Sequence, residues 1–161
     1  PGEEPERIAI LRFAIESDVS YIDIEDDVNE EDLNTLKEAI KGVTKVIISD
    51  HTGSPPSTEE IIERVDQMAA KGDLVKICYR LGNRGGALRV LEAAKDIGSR
   101  EEGADVALMG LGDGGDWTRI HAPLLGTRMV YSTMDESISV MKQGRINLED
   151  LTIAWDLLEY D

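Results

Sequence analysis

Hydrophobic and polar positions along this chain alternate between two periods, and the alternation predicts a series of β/α units. Residues 4–16 carry Ile8, Leu11, Ala14 and Ile15 at helical spacing, with Pro5 near the start, where proline is tolerated. Val19 to Glu25 (VSYIDIE) alternates with the strand period and ends in carboxylates. Asn29 then caps a second helix with Leu33, Leu36 and Ile40 on one face and Gly42 as its stop. Val46-Ile47-Ile48 is a short β-branched apolar run, the mark of a buried strand. It gives way at once to Ser49-Asp50-His51-Thr52-Gly53-Ser54-Pro55-Pro56, which places His51 just past the strand's carboxyl end.

The series continues with Ser57-Thr58-Glu59-Glu60, a capping box that opens a helix carrying Ile61, Val65, Met68 and Ala69. Asp73 to Tyr79 (DLVKICY) reads as a strand, residues 84–97 as a helix and residues 104–109 as another strand. A glycine-rich loop, Gly110 to Trp117, leads to Arg119, which is expected to open a short helical segment. Arg128 to Thr133 reads as a fifth strand, and Asn147 caps a closing helix with Leu148, Leu151, Trp155 and Leu158. Helices between successive strands call for a parallel sheet, and right-handed crossovers make it a doubly wound sheet or part of a (β/α)8 barrel. About five strands are too few to close such a barrel. No repeat, low-complexity tract or linker divides residues 1–161, so one α/β domain is expected.

Charge narrows the partners. The 161 residues carry a formal net charge of −16, which argues against nucleic acid and against an anionic membrane surface. An anionic substrate would have to be caught by a local basic patch against that field. Such acidity suits a salt-rich cytoplasm and ordinary solubility equally. A single cysteine, Cys78, excludes an internal disulfide and a cysteine-based zinc site. No signal-like segment or membrane-length apolar run is present, and a cytoplasmic location is expected.

Three residues share one property. Glu25, His51 and Lys76 each lie in, or at the carboxyl end of, a different consecutive strand, where α/β proteins gather their chemistry. Lys76 is flanked by apolar residues, so its amine is costly there unless it loses its charge or finds a partner. A desolvated amine forms Schiff bases with carbonyl compounds, histidine transfers protons near neutral pH, and a carboxylate can orient the histidine. Arg119, beyond the glycine-rich loop, has the geometry to hold a carboxylate in two-pronged fashion. Each residue also has a plainer reading: a snorkelling lysine, a loop histidine, a solvated glutamate, a surface arginine offsetting Asp113 and Asp116. The loop itself lacks the lysine of a phosphate-binding P-loop, and His121 is expected only to pack or cap.

Several short segments, in order, resemble the type I 3-dehydroquinate dehydratases. They are Tyr21-Ile22-Asp23-Ile24-Glu25, Ile47-Ile48-Ser49-Asp50-His51 and Gly72-Asp73-Leu74-Val75-Lys76-Ile77. They continue with Met109-Gly110 leading to Thr118-Arg119, and with Ala122-Pro123-Leu124-Leu125-Gly126-Thr127 before Val130-Tyr131. The resemblance implies a (β/α)8 barrel, commonly dimeric, without metal or organic cofactor. It implies the dehydration of 3-dehydroquinate to 3-dehydroshikimate, on the shikimate route to aromatic amino acids. Under it Lys76 forms a Schiff base with the ketone, and His51 removes the adjacent proton and helps the hydroxyl leave. Glu25 would orient His51, and Arg119 would bind the substrate carboxylate. The family's first three strands have no counterpart here, and Arg145 stands where the family has a substrate-binding glutamine.

Two other readings stand beside the dehydratase. One is an incomplete barrel that serves assembly, through self-association or a complementing partner chain that covers the open sheet. The other is a different Schiff-base lyase, aldolase-like, which needs the lysine but neither the histidine nor the arginine.

Overall fold

The computed structural model describes residues 4–134 and 143–160. Among them the elements run α1 (Glu4–Glu16), β1 (Tyr21–Glu25), α2 (Glu30–Ala39), β2 (Lys45–Thr52), α3 (Thr58–Ala69) and β3 (Leu74–Leu81). They continue with α4 (Arg84–Gly98), β4 (Val106–Gly112), α5 (Gly115–Ile120), a 3-10 turn (Pro123–Leu125) and α6 (Leu148–Leu157). The strands form one parallel sheet in the order β1-β2-β3-β4, each joined to the next by a helix.

Local capping fixes the helix starts where the sequence placed them. Asn29, Ser57 and Asn147 each accept a hydrogen bond from the third residue of their helix, and Ser57 and Glu60 complete a reciprocal box. α2 ends earlier than Gly42 suggested, at the extended residue Ile40. The strand period then separates the two faces of the sheet. Ile22, Ile24, Val46, Ile48, Val75, Ile77, Val106 and Leu108 turn toward the helices and form the main core with Leu36, Ile61, Val65, Met68, Val90 and Ile97. Each such side chain removed from water contributes about 1.5–3 kcal/mol. The other face is mixed. Ile47, Leu74, Cys78, Ala107 and Met109 pack there as a second, smaller apolar cluster, and the polar residues stand on the same face.

Among the described residues the expected fifth strand does not form, and the sheet has four strands. Residues 128–132 make one strand-like contact, from Arg128 N–H to Val106 O at 3.0 Å. The Tyr131 carbonyl, which a ladder would need, instead accepts from Arg119 at 2.8 Å. A single bridge, Thr133 with Asn147, is all that remains of the pairing.

An ion network pins the loops at the carboxyl ends of β1 and β2. Arg64 Nη2 donates to Asp26 at 2.7 Å and to Asp50 at 2.9 Å, and Lys71 Nζ donates to the other Asp26 oxygen at 2.6 Å. Beneath it Tyr79 is buried, and its phenol is pushed up to about 12 by that burial first, then by Asp50, against the opposing pull of Arg64. A raised folded-state value means the contribution is whole below the unfolded value of 10.0 and is lost as pH rises toward 12. Stability is therefore expected to fall between those pH values by up to about 2–3 kcal/mol, less in Tyr79→Phe. Urea midpoints at pH 9, 10 and 11 measure the difference.

Candidate active site

Register places the site before any side chain is considered. Glu25, Ser49, Lys76 and Ala107 form one row across the sheet, and His51, Cys78 and Met109 form the next row toward the carboxyl ends. β2 runs on to Thr52, so His51 lies within the strand, two residues above Ser49 on the same face, and is not a loop residue. A cavity of about 260 Å³ brings together His51, Lys76, Arg119 and Arg145, closed by Cys78, Met109, Leu111, Tyr131 and Ser132. A neighbouring cavity reaches His51 and Lys76 from the other side and is lined also by Asp23, Glu25, Ser49 and Arg7.

Lys76 is 8% exposed and has found a partner. Its Nζ donates to Asp23 Oδ2 at 2.6 Å and lies 4.8 Å from the centre of the Tyr131 ring. Asp23 is on β1, two strands away, and the intervening residue in the Lys76 row is the small, buried Ser49. Sequence reasoning passed over Asp23. Its one signal is that it shares a strand face with Glu25 in the alternating segment Asp23-Ile24-Glu25.

Glu25 and His51 line the same cavity, with no hydrogen bond between them. Glu25 pairs in register with Ser49, one row below His51, and its carboxylate lies 3.7 Å from Arg7. The imidazole makes no hydrogen bond to a described residue, although both side chains line the same cavity.

Arg119 is held far more firmly than a surface arginine, being 3% exposed. It is the fifth residue of α5 and does not open it: the helix begins within the glycine-rich loop, after Gly114 at φ 93°. Nε donates to Tyr131 O at 2.8 Å, and Nη1 donates to Gly110 O at 2.6 Å, Gly115 O at 2.8 Å and Gly144 O at 3.1 Å. These bonds tie β4, α5 and the segment before α6 into one knot. Nη2 has no partner among the described residues. The knot is so close that a Cβ on Gly115 would meet two carbonyl oxygens, at 2.6 and 2.7 Å. Gly144, at φ 69°, has no more room.

Arg145 follows that knot and is exposed, with no ion pair or hydrogen bond to a described residue. Its charge reaches the cavity floor nonetheless. Burial pushes the Cys78 thiol up, and Arg119, Lys76 and Arg145 together pull against it. Burial likewise raises the Tyr131 phenol, with Lys76 opposing. For Arg119 burial lowers the guanidinium pKa, and the neighbouring Arg145 adds to that. His121 lies outside this group, at the end of α5, where its Nδ1 is 3.0 Å from the Tyr160 hydroxyl and helps seat the carboxyl-terminal segment.

Four parallel strands that alternate with helices, with a cationic, histidine-bearing cavity at their carboxyl ends, define an α/β protein. The chain belongs to the type I 3-dehydroquinase family, whose model matches residues 1–160. It is 27% identical over 161 residues to the 3-dehydroquinate dehydratase of Methanocaldococcus jannaschii, covering 98% of this chain and 70% of that protein. It is 28% identical over 162 residues to the enzyme of the same name from Haloarcula marismortui, covering 96% of this chain and 69% of the other. Among solved structures it is similar to a type I 3-dehydroquinate dehydratase from Clostridium difficile with covalently modified comenic acid, with a TM-score of 0.87 and 23% identity. That match covers 98% of this chain and 63% of the other, so this chain spans roughly two thirds of the length of its relatives. Among the described residues no helix is long and apolar enough to cross a membrane.

Proposed function

We propose that this chain carries the lysine-based site of a 3-dehydroquinate dehydratase, a hydro-lyase that removes water from a cyclic hydroxy-ketone acid. The observation that carries the reading is the convergence of Lys76, His51 and Arg119 on one cavity at the strands' carboxyl ends. Family membership and the names of the relatives support the same substrate.

The geometry suggests how the steps divide. The Lys76 ammonium must lose a proton before it attacks, and the nearest acceptor is Asp23 at 2.6 Å. The amine adds to the ketone carbon and the carbonyl oxygen leaves as water, giving a protonated imine. His51 takes the proton from the adjacent carbon, and the electron pair enters the enamine. The enamine expels the hydroxyl on the next carbon, which leaves as water with the proton carried by His51. Water then adds to the conjugated imine, releasing the product ketone and the Lys76 amine. Arg119 Nη2 holds the carboxylate throughout. Glu25 acts on His51 through its field across the shared cavity, without contact.

Asp23→Asn separates Asp23's role from a structural one. The carboxamide keeps the shape and loses the proton acceptor, so kcat is expected to fall about 100-fold while KM moves less than threefold. Lys76 is 8% exposed and keeps a neutral acceptor in the amide oxygen, so a stability loss of about 1–3 kcal/mol is expected. The overall reading is tested by incubating the full chain with 3-dehydroquinate and following the absorbance of the conjugated product. Turnover that His51→Ala reduces at least 100-fold is the expected result. A folded chain whose turnover is the same in His51→Ala would overturn it.

An assembly role is the second reading, and two observations favour it. β1 and β4 are edge strands among the described residues, and α1 exposes Ile10 and Phe13.

A further inference from the structure

Among the described residues the Ser49 hydroxyl is buried, the residue being 1% exposed, and has no hydrogen-bond partner. A buried hydroxyl without a partner costs stability, and alanine would keep the small size that lets Asp23 reach Lys76. Packing therefore explains the size of residue 49 and not its oxygen. Ser49 stands between Glu25 and Lys76 in one row of the sheet, and on the same face of β2 as His51. Two cavities, of about 330 and 370 Å³, meet at it, and Glu25 and His51 line both. The larger also holds Asp23, Lys76 and Arg7, whose Nε is another buried atom without a partner. A bound water needs room and about two to four polar neighbours, and this place supplies both.

We infer that the Ser49 hydroxyl seats the water that leaves when the Lys76 imine forms and that returns to cleave it. The inference deepens the proposed function and rests on its lysine-imine chemistry. As the imine forms, the carbinolamine oxygen already carries the proton lost by the attacking nitrogen. It takes a second from Asp23, the C–O bond breaks, and water departs beside Ser49. In hydrolysis the water oxygen bonds to the imine carbon and the C=N pair returns to Nζ. One water proton passes to His51 and from there to Nζ. The C–N bond then breaks as the carbinol proton goes to Asp23, which leaves the ketone and the free amine. Asp23 finally returns that proton to Lys76, restoring the ion pair. A hydroxyl accepts from water and donates to it, so Ser49 holds the molecule in both directions without ionising.

The test incubates the full chain with saturating 3-dehydroshikimate in water labelled with heavy oxygen and follows the label into the ketone by mass. Exchange needs only imine formation and hydrolysis, so it is read apart from proton abstraction at carbon and loss of the hydroxyl. Lys76→Met supplies the uncatalysed background. Ser49→Ala is expected to exchange at least about tenfold more slowly than wild type, with a urea midpoint equal to or above it. Equal exchange in the two proteins would mean that residue 49 serves only by being small, and overturns the seat. A midpoint in Ser49→Ala lower by more than about 0.5 M overturns it too, because the hydroxyl would then have a partner in the fold. Wild type that exchanges no faster than Lys76→Met removes the imine and the seat together. Exchange that depends on Ser49, without dehydration of 3-dehydroquinate, keeps the seat and removes only the dehydratase reading.

Discussion

Arg119→Ala is expected to lower stability by about 3–5 kcal/mol and to abolish capture of an anionic substrate in the same stroke. The size follows from what the guanidinium satisfies. Four backbone carbonyls, from Gly110, Gly115, Tyr131 and Gly144, accept from its Nε and Nη1, and the residue is 3% exposed. Each buried acceptor left without a donor costs about 1–3 kcal/mol. Water entering the vacated space recovers part of this, and Gly115 O keeps its bond from Thr118 at 2.7 Å. With a urea slope of about 2 kcal/mol/M the midpoint falls by roughly 2 M. Arg119→Lys retains a cation but not the planar fork, and is expected to fall between the two. A midpoint in Arg119→Ala within 0.3 M of wild type, an allowance of about 0.6 kcal/mol, would mean the knot does not hold this end of the molecule together.

Lys76→Met carries the largest expected effect on chemistry. No other described amine lines the cavity, so the covalent route is closed and kcat falls by about 10⁴ or more. The fold is expected to persist. Methionine fills the same space against Cys78 and Tyr131, and Asp23, with its side chain 35% exposed, can turn to water when its partner is gone. The urea midpoint should therefore stay within about 0.5 M of wild type while turnover disappears. The pair of variants separates two tasks: Arg119 both builds and binds, whereas Lys76 reacts and is otherwise dispensable.

What the sequence made legible was local. Asn29, Ser57 and Asn147 announce their helices because a cap needs only a polar side chain three residues ahead of the N–H it serves. Lys76 stood out because a charge within Leu74-Val75-Lys76-Ile77-Cys78 conflicts with its surroundings, and the conflict marks the site. What stayed hidden depends on register. Asp23 meets Lys76 across an intervening strand, 53 residues away in sequence, and only the small Ser49 between them permits it. Glu25 and His51 share a face, as the strand period requires, yet sit one row apart, an offset that periodicity does not report. The segment at Arg128–Thr133 has the composition of a strand, and a tertiary demand overrides it, since Arg119 takes the Tyr131 carbonyl that a ladder would use. The role of Arg119 as a buried knot has the same origin, because nothing near it in sequence signals three converging glycine carbonyls.

The most direct measurement is covalent trapping. The full chain is incubated with 3-dehydroquinate, reduced with borohydride, weighed intact and then mapped by peptide. The account predicts one adduct per chain, located on Lys76, absent from Lys76→Met and formed more slowly in Asp23→Asn. A folded chain that yields no adduct, or one carrying it on a surface lysine such as Lys37 or Lys95, would contradict the account.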